Sequence, residues 1–185
     1  MTLSFFRPML NDQSISNPYP WEVVMVPALY TSAEFNLSYA KMLLADIPDD
    51  AMARPAGPLV NHPAWQVGHL LWSFGGVAHW LGDTDNPPPA WALACAQGSK
   101  PSTDRAAFPA KSDMLATLES AHRRVIDLLW AAPADRLAAP LPDENIRKFL
   151  PTIGDAVVFV LTTHAAAHLG QLSAWRRTSG LGQVL

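Results

Sequence analysis

The sequence predicts an all-α fold: a four-helix bundle with a long crossover between the second and third helices. Three observations predict it. Four windows carry apolar residues at spacings of three and four, the period of a helix with one buried face. No segment alternates apolar and polar residues as a half-buried strand would. Seventeen prolines punctuate the chain, and proline-rich connections separate the four windows. A chain of 185 residues suits one domain with a single core, here read as residues 1–185 with an N-terminal arm over about 1–24.

The first helix is expected over about residues 27–47. Val26, Tyr30, Ala33, Leu37, Ala40, Leu44 and Ile47 form its stripe, Pro27 suits a first turn, and Pro48 stops it. The second is expected over about 62–82, with Asn61 as N-cap, Pro63 in the first turn and Gly82 at the end. Gly68, Gly75 and Gly76 lie inside it, and each weakens a helix unless close packing compensates. The third is expected over about 113–131, capped by Ser112, with Met114, Leu118, Ala121, Val125 and Leu128 as its stripe. The fourth is expected over about 152–178. Thr152 and Asp155 make a capping-box start, and Gly180 ends the helix. Residues 83–110 are a long proline-rich connection in which WALACAQ suits a short helix, and a connection this long crosses the fold or covers a site. Residues 133–150 form a second such connection.

Composition excludes several classes. The net charge is -3 with Lys and Arg scattered, so no basic stripe points to nucleic acid or an anionic membrane surface. The single cysteine, Cys95, rules out an intrachain disulfide and suits a reducing compartment. The N-terminus lacks the pattern of a signal peptide, and the apolar window Val67 to Leu81 is too short to span a membrane. The expected setting is cytosolic.

The chemistry concentrates in histidines. His164 and His168, in THAAAHLGQLSAWRR, stand one turn apart on one face of the last helix, where two imidazoles can converge on one ion. Buried imidazoles need partners. The spacing alone leaves two readings open, a metal ion or hydrogen bonds across the bundle. A third ligand has to come from another helix, and His69, on a stripe with Trp65, Trp72 and Gly76, is the best candidate. At about 1.5 Å rise per residue, His62 and His79 lie roughly 10 and 15 Å along the axis from His69, too far to share its ion. His62 belongs to the helix start, and His79 reads as a structural or surface residue. His122 could face inward, but beside Arg123 and Arg124 it reads as a boundary residue. Cys95 has no base nearby in sequence and reads as a buried or incidental thiol. Gln171, one turn past His168, could bond to the site or simply pack. No acidic residue lies within a turn of His164 or His168, and HEXXH is absent, so neither a di-iron pattern nor the usual metalloprotease base is present.

Three segments together resemble the DinB/YfiT-like family of helical metalloproteins. NHPAWQVGHLLWSFGGVAHWLG resembles that family's second helix, PAWALACAQGSKPSTDRAAFPAKSDML its crossover, and FLPTIGDAVVFVLTTHAAAHLGQLSAWRRTSGLG its last helix. The resemblance implies a four-helix bundle whose metal is held by three histidines, here His69, His164 and His168, with water or substrate completing the shell. It also implies a homodimer; the DNA-damage name attached to the family does not imply DNA binding, and the acidic chain has no basic footprint. Three neutral imidazoles with open positions make a catalytic type of site, able to lower the pKa of a bound water or thiol. The ligand set admits a divalent transition metal such as zinc, nickel or iron. Relatives implied by the resemblance include transferases and isomerases that use low-molecular-weight thiols, so the enzyme expectation is thiolate attack on a small electrophile. The competing expectations are metal-dependent hydrolysis and a non-catalytic metal- or ligand-binding protein. No residue beyond the three ligands is assigned a catalytic role.

Overall fold

A computed structural model describes residues 21–185, with side chains from Pro27 onward. Residues 1–20, most of the expected N-terminal arm, lie outside that range. Among the described residues the regular structure is helical, with only two isolated bridges, Ala56 to Leu59 and Pro140 to Thr152.

Helix α1 runs Trp21–Leu44, so Pro27 falls inside it rather than at its first turn. Ala33, Ala40, Leu43 and Leu44 are buried, whereas Tyr30, expected on the stripe, is exposed. The helix end is closed from a distance. Lys111 Nζ donates to the carbonyls of Leu44 (3.1 Å), Ala45 (2.9 Å) and Ile47 (2.7 Å), which places a cation where last-turn carbonyls lack partners.

Helix α2 runs Pro63–Trp80 and is the core element, with most of its side chains buried. Its N-cap is His62, not Asn61. Nδ1 of His62 accepts from the Trp65 N–H at 3.2 Å, and Nε2 donates to the Ser102 carbonyl at 2.8 Å. The crossover that follows contains a short helix, α3, Ala90–Leu93. Two of the three glycines of α2 explain themselves there. A Cβ on Gly68 would lie 2.5 Å from Cys95 Sγ, and one on Gly75 would overlap the Pro88 ring. Their bare backbones let the crossover lie directly against α2. Gly76 meets nothing within 4 Å, and the packing does not explain it.

Helix α4 runs Lys111–Ala131. Ser112 sits inside the first turn rather than capping it. The cap comes from another segment, because Asp49 Oδ1 accepts from the Lys111 N–H at 2.7 Å, and Arg105 grips the same carboxylate. The second connection carries α5, Ala134–Ala138, and α6, Glu144–Arg147. The final rod is α7, Ile153–Phe159, a π-helical turn, Val160–His164, and α8, Ala165–Thr178. The Thr152–Asp155 capping box opens it, and Gly180, with φ 78°, follows its end.

The four long rods pack as a ring: α2 lies against α4 and the final rod, and α1 closes the ring against the same two. By length and composition Ile153–Thr178 is apolar enough to cross a membrane. Here its stripe of Val157, Leu161, Ala165, Leu169, Leu172 and Trp175 is buried in the shared core.

Candidate metal centre

Histidines from two rods meet at one point. His69 lies in the middle of α2 and is 5% exposed, while His164 ends the π turn and His168 lies one turn into α8. The Nε2 atoms of His69 and His164 are 3.3 Å apart, and those of His168 and His164 are 3.2 Å apart. The ligand atoms of all three lie within 4.8 Å of one another.

The outer nitrogens fix which tautomers face inward. His69 Nδ1 donates to the Cys95 carbonyl at 2.7 Å, and a carbonyl only accepts. His168 Nδ1 donates to Gln66 Oε1 at 2.6 Å. The Gln66 amide is oriented in turn, because its Nε2 donates to Gln171 Oε1 at 2.9 Å and to the Asn61 carbonyl at 3.3 Å. The proton on each neutral ring is therefore spent outward, and the Nε2 lone pairs of His69 and His168 point at the same small volume.

Burial disfavours the charged form of all three rings. Burial pushes His69 below its usual range. Burial, followed by the neighbouring imidazoles, lowers His168 to about 3, and burial with His69 lowers His164 to about 4. A single His164 proton cannot satisfy two facing lone pairs well, and His164 Nδ1 is itself buried with no hydrogen-bond partner among the described residues. One cation resolves the conflict. Two nitrogens at about 2.1 Å from a tetrahedral ion stand about 3.4 Å apart, close to the spacings seen here. The residues therefore fit a divalent ion, and the outward bonds from Nδ1 are the kind that orient metal-binding imidazoles.

The cluster opens into a cavity of about 440 Å³. Trp65, Trp72, Trp80 and Phe159 give it aromatic walls, Ile146 and Leu150 close it from the second connection, and Gln97 and Gly98 close it from the crossover. Both long connections thus cover the site. Trp65 stacks on His69 with ring centroids 4.7 Å apart and donates from Nε1 to Ser99 Oγ at 2.9 Å. Among the described residues no Asp, Glu, Lys or Arg lines the cavity.

The remaining histidines lie elsewhere. His62 caps α2 and His79 is exposed. His122 is not the boundary residue its neighbours suggested. It is 2% exposed, in line with Leu118 and Val125, packed on Phe74 and 3.6 Å from Glu34 Oε1, while Arg123 and Arg124 turn outward. Cys95 is buried and its thiol is pushed up to about 11 by burial, so it contributes its carbonyl and not a nucleophile. Sequence reasoning missed Gln66 and that carbonyl. Gln66 stands three residues before His69, but nothing in the sequence indicated that its partner would be His168.

Among known proteins, the family model of the DinB superfamily matches residues 34–172. The chain belongs to that superfamily. Comparison with curated proteins and with solved structures returns no significant match.

Proposed function

We propose that His69, His164 and His168 hold one divalent transition metal ion, and that the protein uses it as a thiol-dependent transferase or isomerase acting on a small electrophile. The observation that carries this reading is the convergence of two Nε2 lone pairs, fixed by Cys95 and Gln66, on a point that His164 also faces. A bound ion would supply Lewis acidity and would lower the pKa of a thiol or water beside it. The chain itself supplies the rest. Three imidazoles leave room for further ligands, unlike a closed four-residue structural site. The tryptophans and Phe159 bind a flat apolar body by burial and stacking. Ile146 and Leu150 keep water from the inner wall.

One observation favours a second reading, metal-dependent hydrolysis. The common cellular thiols carry carboxylates, and among the described residues the cavity wall offers them no cationic side chain. Both readings place the substrate body among the aromatic walls. The setting we propose is the cytosol. We also propose a homodimer, for which the exposed Phe35 and Met42, about 20° apart around α1, offer an apolar surface.

The test is metal analysis of untagged protein purified without added metal, beside His164→Ala. The expected result is about one divalent ion per chain, lost in the variant. Turnover of electrophiles with and without added thiol then separates transfer from hydrolysis. Absence of metal in both proteins, even after incubation with zinc or nickel, would refute the metal reading.

A further inference from the structure

The last rod does not keep one helical pitch. Ala156, Val160, His164 and His168 all line the cavity, each four residues from the next. An α-helix turns about 100° per residue, so each step of four overshoots a full turn by about 40°. Over the twelve residues from Ala156 to His168 the drift would reach about 120°, and the two ends of the row would face different neighbours. The Val160–His164 turn is π-helical. A π turn closes its hydrogen bond one residue later than an α turn and takes in one extra residue. That withdraws about 100° of rotation and leaves the two ends of the row, Ala156 and His168, within about 20° of one line.

Such a turn loosens the regular ladder. The Thr162 carbonyl keeps a backbone donor, the Ala165 N–H, and Asn36, half-buried on α1, adds side-chain donors to the turn. Its Nδ2 donates to the Leu161 carbonyl at 3.0 Å and to the Thr162 carbonyl at 3.2 Å, one proton for each. Both acceptors lie within the π turn, just before His164. No other side chain among the described residues reaches those two carbonyls from another element.

We propose that Asn36 is a positioning residue for the histidine cluster: its amide holds the π turn that brings His164 and His168 into register against His69. Asn36 touches none of the three rings and acts through the backbone before His164. Removing its donors lets the segment relax toward a regular helix and rotates His164 relative to the wall formed by Ala156 and Val160.

The test compares Asn36→Leu, which keeps the size and removes the donors, with Met114→Ala, which disturbs the core at the start of α4 away from both Asn36 and the cluster. The readouts are zinc affinity by competition with a chromophoric chelator, thermal midpoint, and amide hydrogen exchange of the peptide covering residues 158–168. Asn36→Leu is expected to weaken zinc by about 10–100-fold. In its metal-free form that peptide is expected to exchange on the order of tenfold faster. Met114→Ala is expected to lower the midpoint with zinc affinity unchanged. An Asn36→Leu protein that loses midpoint but binds zinc within about twofold of the parent would make Asn36 merely structural and overturn the proposal. The exchange arm does not depend on metal. If the parent binds no zinc, the metal reading fails on its own, while unchanged exchange at 158–168 overturns the role of Asn36 and faster exchange there supports it. Should Asn36→Leu fail to fold, Asn36→Asp, which turns acceptors toward the same carbonyls, is judged by the same outcomes.

Discussion

Replacing Gly68 with alanine separates close packing from helix propensity at the wall of the site. A Cβ at this position would stand 2.5 Å from Cys95 Sγ, 3.0 Å from Cys95 Cβ and 3.2 Å from Trp91 Cζ3. Comfortable non-bonded contacts begin at about 3.5 Å, so Cys95 has to retreat by about 1 Å. Overpacking of this kind costs about 1–3 kcal/mol, and the gain in helix propensity returns about 0.8–1 kcal/mol. The net expectation is a loss of up to about 2 kcal/mol in a urea titration. Gly76→Ala, on the same helix with nothing within 4 Å, is the control and should gain up to about 1 kcal/mol. The functional consequence is larger than the loss of stability. The Cys95 carbonyl accepts from His69 Nδ1 at 2.7 Å, and a retreat of about 1 Å takes it out of hydrogen-bonding range. Zinc affinity of Gly68→Ala should fall by about 10–100-fold, while Gly76→Ala keeps the parent value. If the two variants matched in both urea midpoint and zinc affinity, the argument that a bare backbone at Gly68 sets the position of the His69 acceptor would be wrong.

Gln66→Leu leaves the buried His168 Nδ1–H without an acceptor, and should destabilise the protein by about 1–3 kcal/mol in denaturant titration and weaken zinc by about 10–100-fold in chelator competition. Acid should destabilise the metal-free protein through the cluster. His168 and His164 titrate at about 3 and about 4 in the folded state, below the ordinary histidine value near 6.5. Well above pH 6.5 both states are neutral and these groups add no pH dependence. As pH falls below 6.5 the unfolded chain takes up protons that the folded one refuses, so stability drops until the folded values are reached. Between pH 7 and pH 5 each of the two should contribute a loss of at most about 2 kcal/mol, read as a fall in urea midpoint. His62, His69 and His122, whose values are also lowered mainly by burial, push in the same direction. A midpoint that stays flat over this range would contradict the neutral, desolvated cluster.

Much of the fold was legible because its signals are local. The stripes of α2, α4 and the last rod, the Thr152–Asp155 box and the end at Gly180 depend on residues three or four apart, and the structure keeps them. The caps expected at Asn61 and Ser112 failed for a shared reason. Each was a favoured capping residue just before an expected helix, but another side chain did the work: His62 at one and Asp49, 62 residues from Lys111 in sequence, at the other. His122 was misplaced because its charged neighbours outweighed its phase. On a helix, adjacent residues point about 100° apart, so exposed Arg123 and Arg124 say little about it.

The sequence by itself determined the helical class, the rods that carry chemistry, and the two histidines one turn apart with a third on a separate rod. These follow from periodicity and residue type, which the chain carries in every short window. The tertiary structure alone decided that the three rings share one point and which nitrogen of two of them faces it. The His69 tautomer is set by a backbone carbonyl of the crossover, and the His168 tautomer by a glutamine 102 residues away. The phase of His164 depends on a π turn whose carbonyls are held by Asn36, 125 residues from Leu161. A proton's place on an imidazole and a helix's local pitch each rest on a few hydrogen bonds to distant groups, and those partners exist only once the chain has folded.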